Sequence, residues 1–306
     1  MSGLPIPPGA ADGVAKPTGG ATKITTIPWA GFKGAVSYTF DDDNQSQITN
    51  YSMINSVGAP VTFFLWTGKT EATNAIWKQA YKDGHEMANH TKSHVSAASV
   101  ADINAATDFI KQTFGVPPYS MAAPNGDGSY TTAAKGIFFI NRGVSNALIA
   151  PNDNTNPLSL PTYIAATGAG ADAYNTQNDG AISGNKWRTH CTHGFTGDGS
   201  AYQPVPVSAI VDSMKRAKMM GAWVDTITNV GAYWLGEKAF NSAMTATSGM
   251  DKTFTWKLPD KFPPGHFIRV KTDGGTLKQN GVEIPWDSHG WYEIALDPMS
   301  VTLSSP

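Results

Sequence analysis

The sequence predicts an α/β fold of barrel type followed by a small all-β module. From Ala35 to about residue 240, short apolar runs alternate with longer amphipathic stretches about seven times. This alternation is typical of strand-then-helix units around a parallel sheet. After Phe240 the pattern changes to short alternating strands separated by Gly, Pro and Asp, as in an antiparallel sandwich. A length of 306 residues is enough for one large domain and one smaller module.

The individual elements follow from the position of each apolar run. The predicted strands are AVSYTF at 35–40, VTFFLW at 61–66, HEMAN at 85–89, YSMAAP at 119–124, NRGVSN at 141–146, RTHCTH at 188–193 and AWVDTI at 222–227. The predicted helices lie near 46–57, 71–83, 98–114, 130–138, 206–220 and 228–240. About seven strand-then-helix units are more than a small flavodoxin-like sheet contains and are close to the number in a barrel.

The flanking regions define the predicted domain boundaries. Residues 1–32 form a Pro/Gly-rich arm with too few large apolar side chains to fold alone. The main domain is expected over 33–244, and the small all-β C-terminal module over 245–306. In that module, Trp256, Trp286 and Trp291 are either a carbohydrate platform or core residues, and burial statistics favour the core.

A polar stretch from Ala147 to Asn185 is predicted as a long loop over one face of the main domain. Loops of this length are usually functional or disordered, and Tyr163 and Tyr174 suit stacking on sugar rings. A loop without a function is an equally good interpretation.

Composition limits the class of partner. The 22 basic and 24 acidic residues leave a net charge of −2, which gives no electrostatic footprint for nucleic acid or an anionic membrane. No apolar run approaches the roughly 20 residues of a membrane span. The N-terminus shows no signal peptide, although the loop-rich composition is typical of secreted carbohydrate-active enzymes, so we expect a secreted protein whose signal has been removed. The single cysteine, Cys191, makes no intramolecular disulfide, and the sequence does not fix the oligomeric state.

Two histidines four residues apart, His90 and His94, are the first chemical signal. At this spacing both rings can reach one divalent metal ion. The alternative interpretation is a pair of solvated or helix-capping histidines. The strand AVSYTF runs into DDDN at 41–44, and adjacent carboxylates repel one another unless a cation holds them. Asp43 or Asn44 also suits a helix N-cap.

One aspartate of this run with the two histidines makes a His, His, Asp set. Two imidazoles and one carboxylate, with positions left for water and substrate, suit catalytic zinc or a related divalent ion. The second aspartate is then free to act as a general base.

These residues resemble a known family. TFDD at 39–42 and HTKSH at 90–94 are similar to the first two motifs of the NodB-type polysaccharide deacetylases, carbohydrate esterase family 4. The resemblance covers about residues 33–240 and implies a distorted (β/α)7 barrel. It implies Asp41 as the base, and Asp42, His90 and His94 as ligands of Zn²⁺, with Co²⁺ or Ni²⁺ as substitutes. Thr91 would steady the loop between the histidines.

The third family motif, R-x-P-aromatic-G, corresponds here to residues 122–126. The resemblance implies that the backbone N–H of Asn125 stabilises the oxyanion. Ala122 stands where many members carry an arginine that pairs with the base, and Arg142 or Arg188 is expected to supply that charge.

The fifth motif supplies a histidine as general acid. KWRTHCTHGF offers His190 and His193, and His193, which precedes Gly194 and Phe195, is the better match. The fourth motif, D-x-x-D-W, is not recognisable, so Asp225 is assigned no catalytic role. Tryptophans near strand ends suit either the wall of an acetyl pocket or the core; they are Trp66, Trp187 and Trp223.

The resemblance implies metal-dependent removal of acetyl groups from a poly- or oligosaccharide. N-acetyl groups of chitin or chitooligosaccharides are the first expectation, with O-acetylated xylan next and peptidoglycan third. The alternative from another class is a catalytically silent carbohydrate-binding protein, against which the retained Asp41 argues. A serine hydrolase is disfavoured because no G-x-S-x-G motif is present.

Overall fold

The computed structural model describes residues 3–305 and divides the chain into two compact units. One is Lys33–Val230, and the other combines the described residues before it with those from Gly231 onward. This division differs from the expected arm at 1–32 and boundary near 245. The N-terminal arm has no core of its own, but its extended backbone completes a sheet of the C-terminal unit, because β1 (Ile24–Thr26) pairs antiparallel with β12 (Phe267–Thr272).

A parallel sheet forms the centre of the larger unit. Its strands are β2 (Gly34–Asp41), β3 (Thr62–Leu65), β4 (Glu86–Asn89), β5 (Ser120–Ala122), β6 (Ile140–Arg142), β7 (Tyr163–Ile164), β8 (Trp187–Thr192) and β9 (Ala222–Val224). The hydrogen-bonded order is β6-β5-β4-β3-β2-β8-β7, and β9 pairs with the first half of β2. Strand β2 is buried along its whole length, as expected for a strand covered on both faces. The curled parallel sheet confirms the predicted distorted barrel.

Helices cover this sheet close to the predicted positions. They are α1 (Gln45–Asn55), α2 (Ile76–Lys82), α3 (Val100–Phe114), α4 (Ser129–Ala133), α5 (Ala171–Ser183), α6 (Val207–Met219) and α7 (Ile227–Asn241), and the boundary between the units falls within α7. Helix α3 has both expected ends: the Ser99 side chain caps its first turn, and Gly115 follows it with φ of 81°.

Helix α5 corrects the prediction of one long loop over 147–185. Its buried stripe is Tyr174, Asn178 and Ala181, which has helical spacing but only one large apolar residue. The Asn178 side chain donates to the hydroxyls of Tyr38 and Ser213 at 2.8 and 3.0 Å. The helix is therefore held by polar contacts with the sheet and with α6, which an apolar pattern does not reveal.

The smaller unit contains two antiparallel sheets, confirming the predicted all-β module. Its remaining strands are β10 (Met244–Ser248), β11 (Asp251–Thr255), β13 (Thr276–Gln279), β14 (Val282–Glu283), β15 (Tyr292–Ala295) and β16 (Ser300–Ser304). The sheet orders are β10-β11-β16-β13-β14 and β1-β12-β15. Trp256 and Trp291 are buried core residues, whereas Trp286 is half-buried and donates to the carbonyl of Val14 at 2.8 Å.

Within residues 3–305, none of the helices has the length and apolar character needed to cross a membrane.

Candidate metal and catalytic site

The carboxyl ends of the parallel strands gather polar side chains at one edge of the sheet. Asp41 ends β2, Arg142 ends β6, and His90 and His193 directly follow β4 and β8. Parallel strands place these ends together, which is where α/β folds bind ligands. A pocket of about 380 Å³ opens there. It is lined by Asp41, Asp42, His90, His94, Ala123, Asn125, Gly126, Arg142, Val144, Ile164, His193 and Tyr202.

Asp42, His90 and His94 converge on one point of this pocket. The Nε2 atoms of His90 and His94 lie 3.4 and 3.3 Å from the same oxygen, Oδ1 of Asp42. That oxygen is buried and accepts no hydrogen bond from the described residues. Ligand atoms of a tetrahedral zinc ion stand about 3.3 Å apart, given metal–ligand distances near 2.0–2.1 Å. The three donors therefore fit a divalent metal ion.

The surroundings orient both histidines for this role. His90 Nδ1 lies 3.0 Å from the carbonyl oxygen of Ala122, so the ring donates there and presents the lone pair of Nε2 to the pocket. The ring of His94 stacks on the indole of Trp66, with centroids 4.6 Å apart. The Thr91 hydroxyl accepts a hydrogen bond from the backbone N–H of His94 at 3.0 Å, which holds the loop as expected for this threonine.

Sharp turns give these side chains their direction. Asp42, Thr91, His94 and Asn125 all have positive φ, between 51° and 74°. Non-glycine residues adopt this conformation at a cost in free energy, so such residues concentrate at functional sites where the surrounding structure enforces it.

Arg142 supplies the positive charge that an arginine at the position of Ala122 would otherwise provide. Its Nη2 donates to Oδ2 of Asp41, and both side chains are almost fully buried. Arg188 has other partners: it donates to the side-chain oxygen of Asn146 and the carbonyl of Ala147. Of the two arginines that the sequence left open, Arg142 is therefore the one that contacts Asp41.

Electrostatics keep Asp41 ionised. Burial by itself raises the pKa of this carboxyl group, but the positive charge of Arg142, together with His90 and His193, outweighs burial and holds the pKa below its ordinary value. Arg142 donates to Oδ2, which is also the oxygen nearest to the Nε2 atoms of His90 and His193, at 3.7 and 3.9 Å. Oδ1 is buried and accepts no hydrogen bond from the residues described.

The two late histidines have different surroundings. His193 lines the pocket, and its Nε2 lies 3.9 Å from Oδ2 of Asp41. His190 points to the other face of β8, where its Nε2 lies 2.7 Å from the side-chain oxygen of Asn178. Burial lowers the pKa of His190 well below its ordinary value, so this ring is a neutral structural group.

Asn125 lies at the rim of the same pocket, directly after Pro124. Its side-chain amide donates to the Ser96 hydroxyl at 3.3 Å. The exposed ring of Tyr202, which the sequence analysis did not single out, packs edge-on against His193 with centroids 5.2 Å apart.

Several aromatic residues for which both a sugar contact and a structural role were open prove structural. Trp187 and Trp223 are core residues, with 0% and 2% of their surface exposed, and Tyr174 is buried at 1%. Tyr163 is half-buried and packs edge-on against His190. Asp225, to which no catalytic role was given, is buried and accepts hydrogen bonds from the indole of Trp223 and the backbone of Thr226.

The neighbouring residues Asp43 and Asn44 do not cap α1 through their side chains. Oδ1 of Asp43 accepts from the backbone N–H of Trp66 at 2.7 Å, and Asn44 makes no side-chain capping bond. The carboxylate of Asp198 instead accepts from the backbone N–H of Ser46 at 3.0 Å.

Residues 31–137 match the family model described as polysaccharide deacetylase. None of the curated proteins matches this sequence. Among solved structures, a family 4 acetyl xylan esterase from Clostridium thermocellum with a cobalt ion is 18% identical, with 64% of this chain and 89% of that chain covered and a TM-score of 0.45. Peptidoglycan deacetylase PdaC from Bacillus subtilis is 17% identical, covering 65% and 90%, with a TM-score of 0.39. The catalytic domain of a peptidoglycan N-acetylglucosamine deacetylase from Eubacterium rectale is 12% identical, covering 70% and 94%, with a TM-score of 0.45.

Proposed function

We propose that this protein is a metal-dependent hydrolase that removes acetyl groups from sugars, because residues 31–137 match the family model described as polysaccharide deacetylase. The observation that supports metal dependence is the convergence of two imidazole Nε2 atoms on one unpartnered carboxylate oxygen of Asp42. The presence of Asp41, a buried carboxylate next to this set but not part of it, supports hydrolysis rather than binding alone.

The metal ligands in this proposal are Asp42, His90 and His94. When bound there, a divalent ion supplies a Lewis acid and lowers the pKa of water towards neutrality. Zn²⁺ is our first choice, because two imidazoles and one carboxylate are a typical catalytic zinc set, and Co²⁺ or Ni²⁺ would substitute.

The remaining residues move protons and stabilise charge. The carboxylate of Asp41 accepts a proton from the attacking water, while Arg142 fixes the carboxylate and keeps it ionised. The backbone N–H of Asn125 stabilises the oxyanion as the acetyl carbon becomes tetrahedral. His193 donates a proton to the departing nitrogen or oxygen. An amine leaves poorly without a proton, so an acid at this position contributes more to N-acetyl than to O-acetyl cleavage.

The apolar lining of the pocket supports a small acyl group. Ala123, Val144 and Ile164 provide apolar surface beside the proposed metal ligands and His193. We propose N-acetyl groups of chitin or chitooligosaccharides as the first substrate class, since the proposed acid is present and a net charge of −2 does not select a strongly anionic glycan. We also propose that the protein is secreted, because polymeric substrates of this kind are found outside the cell.

The test is acetate release from chitooligosaccharides, acetylated xylan and peptidoglycan in parallel. Chelator-treated protein is assayed before and after addition of Zn²⁺, and Asp42→Asn serves as a variant that lacks one ligand. We expect release only with metal, little release by the variant, and the highest rate with chitooligosaccharides. A higher rate with acetylated xylan or peptidoglycan would replace the proposed substrate. If the folded, zinc-bound protein releases no acetate from any of the three, the proposed activity on these substrates is wrong, and a silent carbohydrate-binding protein becomes the better explanation.

A further inference from the structure

Two buried amide side chains at the start of α1 contact the backbone of the catalytic strand ends. Nε2 of Gln47 donates to the carbonyl oxygens of both Asp41 and His193, at 2.5 and 2.9 Å. Nδ2 of Asn44 donates to the same His193 carbonyl at 2.7 Å. We call Asn44 and Gln47 the amide clasp. It joins the backbones of the two residues to which the proposed mechanism assigns proton transfer.

Helix capping does not account for the clasp. Asp198 accepts from the backbone N–H of Ser46, and Asn44 makes no side-chain capping bond although it precedes the first turn. The orientation of the Asn44 amide is fixed by Lys69, whose Nζ donates to Oδ1 of Asn44 at 2.7 Å and to the Asp42 carbonyl at 2.8 Å. Because an ammonium group only donates, the NH₂ group of Asn44 must face His193.

The pairing between β2 and β8 explains why such a clasp is needed. The parallel register between these strands ends at Phe40 and Thr192. Asp41 and His193 directly follow these two residues in sequence, so the β2–β8 ladder does not extend to them. Their side chains nevertheless lie close, with Nε2 of His193 3.9 Å from Oδ2 of Asp41. Gln47, which is fully buried, bridges the two strands where the ladder stops.

We propose that Gln47, supported by Asn44, is a positioning residue that sets the distance between the proposed base Asp41 and the proposed acid His193. This inference rests on the proposed function. Loss of the bridge would let the end of β8 shift relative to β2, and a displacement near 1 Å at reacting groups costs about 100-fold in rate. The proposed metal ligands Asp42, His90 and His94 do not lie on β8, so they would keep their positions when only the end of β8 shifts.

The experiment compares Gln47→Met with Gln45→Met. Methionine has nearly the shape of glutamine but no N–H group, and Gln45 is an exposed residue of the same helical turn, so the control carries the same substitution. Asn44→Ala is a second variant, which removes one of the two bonds to the His193 carbonyl together with the bond from Lys69. Each protein is assayed with chitooligosaccharides and with 4-nitrophenyl acetate, whose leaving group needs no acid. Co²⁺ affinity and the crystal structure are also determined.

We expect Gln47→Met to lower kcat for the chitooligosaccharide about 100-fold, with a smaller loss for 4-nitrophenyl acetate. In Gln47→Met, KM and Co²⁺ affinity should change less than threefold. The kcat of Asn44→Ala should lie between those of Gln47→Met and the wild type, and the kcat of Gln45→Met should match the wild type. Equal losses on both substrates, or a parallel loss of Co²⁺ affinity, would indicate general loosening and overturn the inference. If the wild-type protein releases no acetate, the proposed function fails, and the crystal structures still decide the positioning role: an unchanged separation of Asp41 and His193 in Gln47→Met refutes it.

Discussion

At the residue scale, the chemistry of Asp41 depends on an arginine four strands away in the sheet order. Arg142 ends β6, whereas Asp41 ends β2, and strands β3, β4 and β5 lie between them. The guanidinium group lies over the ring of Phe64 at 5.4 Å and is almost fully buried. Sheet curvature therefore brings together two charges that a flat sheet would separate.

Replacement of this arginine should damage both activity and stability. In Arg142→Met the buried Asp41 carboxylate has no cation, and breaking a buried pair costs roughly 3 kcal/mol in free energy of unfolding. We expect kcat to fall at least tenfold with Co²⁺ still bound, as measured by acetate release and visible absorption. Arg188→Met is the matched control, because Arg188 contacts Asn146 and Ala147 rather than Asp41. An equal loss of kcat in the control would contradict a specific role for Arg142.

Trp66 acts on the proposed metal set through His94. Its indole stacks on the His94 ring, and Nε1 donates to the carbonyl of Lys92 at 2.9 Å, inside the segment that joins the two histidines. Groups that orient metal-binding histidines typically change affinity 10- to 100-fold when removed.

We expect Trp66→Leu to bind Co²⁺ at least tenfold more weakly than the wild type, because it loses both the stacking and the hydrogen bond. Trp66→Phe keeps an aromatic ring but loses the hydrogen bond, so its affinity should be intermediate. Titration followed by the visible absorption of Co²⁺ measures all three proteins without reference to activity. Identical affinities would show that Trp66 has no part in holding His94.

At the element scale, α7 carries a buried carboxyl group whose ionised form destabilises the folded state. Glu237 is buried, with 1% of its surface exposed, and burial raises its pKa from 4.5 to about 7, although the Thr26 hydroxyl lowers it in part. The folded state therefore binds this proton more tightly than the unfolded state does. Stability contributed by the protonated group is complete below about pH 4.5 and is lost as pH rises to about 7.

Glu237→Gln should remove this pH dependence, because glutamine resembles the protonated carboxyl group. We expect the variant and the wild type to have similar free energies of unfolding near pH 4.5, and the variant to be more stable by about 3 kcal/mol at pH 8. Urea unfolding at both pH values measures the difference. Glu283→Gln, at an exposed position in β14, should show no such change. A constant difference across the range would mean that Glu237 ionises normally.

Elements also differ in how well their sequences reveal them. Strands β2 and β3 are continuous apolar runs, and α3 has an N-cap serine and a C-terminal glycine, so local chemistry is enough to locate them. Helix α5 was missed because its buried stripe includes Asn178, whose partners Tyr38 and Ser213 lie far away in sequence. A polar residue that is satisfied across the fold looks, in the sequence, like a surface residue.

At the scale of the whole molecule, both ends of the chain meet in one unit. The guanidinium group of Arg269 in β12 donates to the carbonyls of Leu4, Pro5 and Ala30 and to the side chain of Glu293. The arm that cannot fold alone is thus held by backbone contacts with the C-terminal sheet.

We expect Arg269→Met to release the N-terminal segment. Amide hydrogen exchange over residues 3–32 should become faster, because the carbonyls lose a buried donor and the segment loses its anchor. Exchange within Lys33–Val230 should be unaffected, since that unit has its own core. Lys278→Met, at a half-buried position in β13, should leave both regions unchanged. Unaltered exchange over residues 3–32 would show that strand pairing alone holds the arm.

Local sequence patterns are enough to predict the parallel α/β architecture, the all-β module and the residues of the proposed metal set. Local patterns indicate these features: apolar periodicity, aspartates at a strand end and two histidines four residues apart. Only the folded chain shows which arginine contacts Asp41 and which late histidine enters the pocket. The same holds for the bridge that Asn44 and Gln47 make between two strands, and for the pairing of the arm with a C-terminal strand. Each of these depends on groups distant in the chain that meet only through sheet curvature and strand order, for which residue spacing carries no signal.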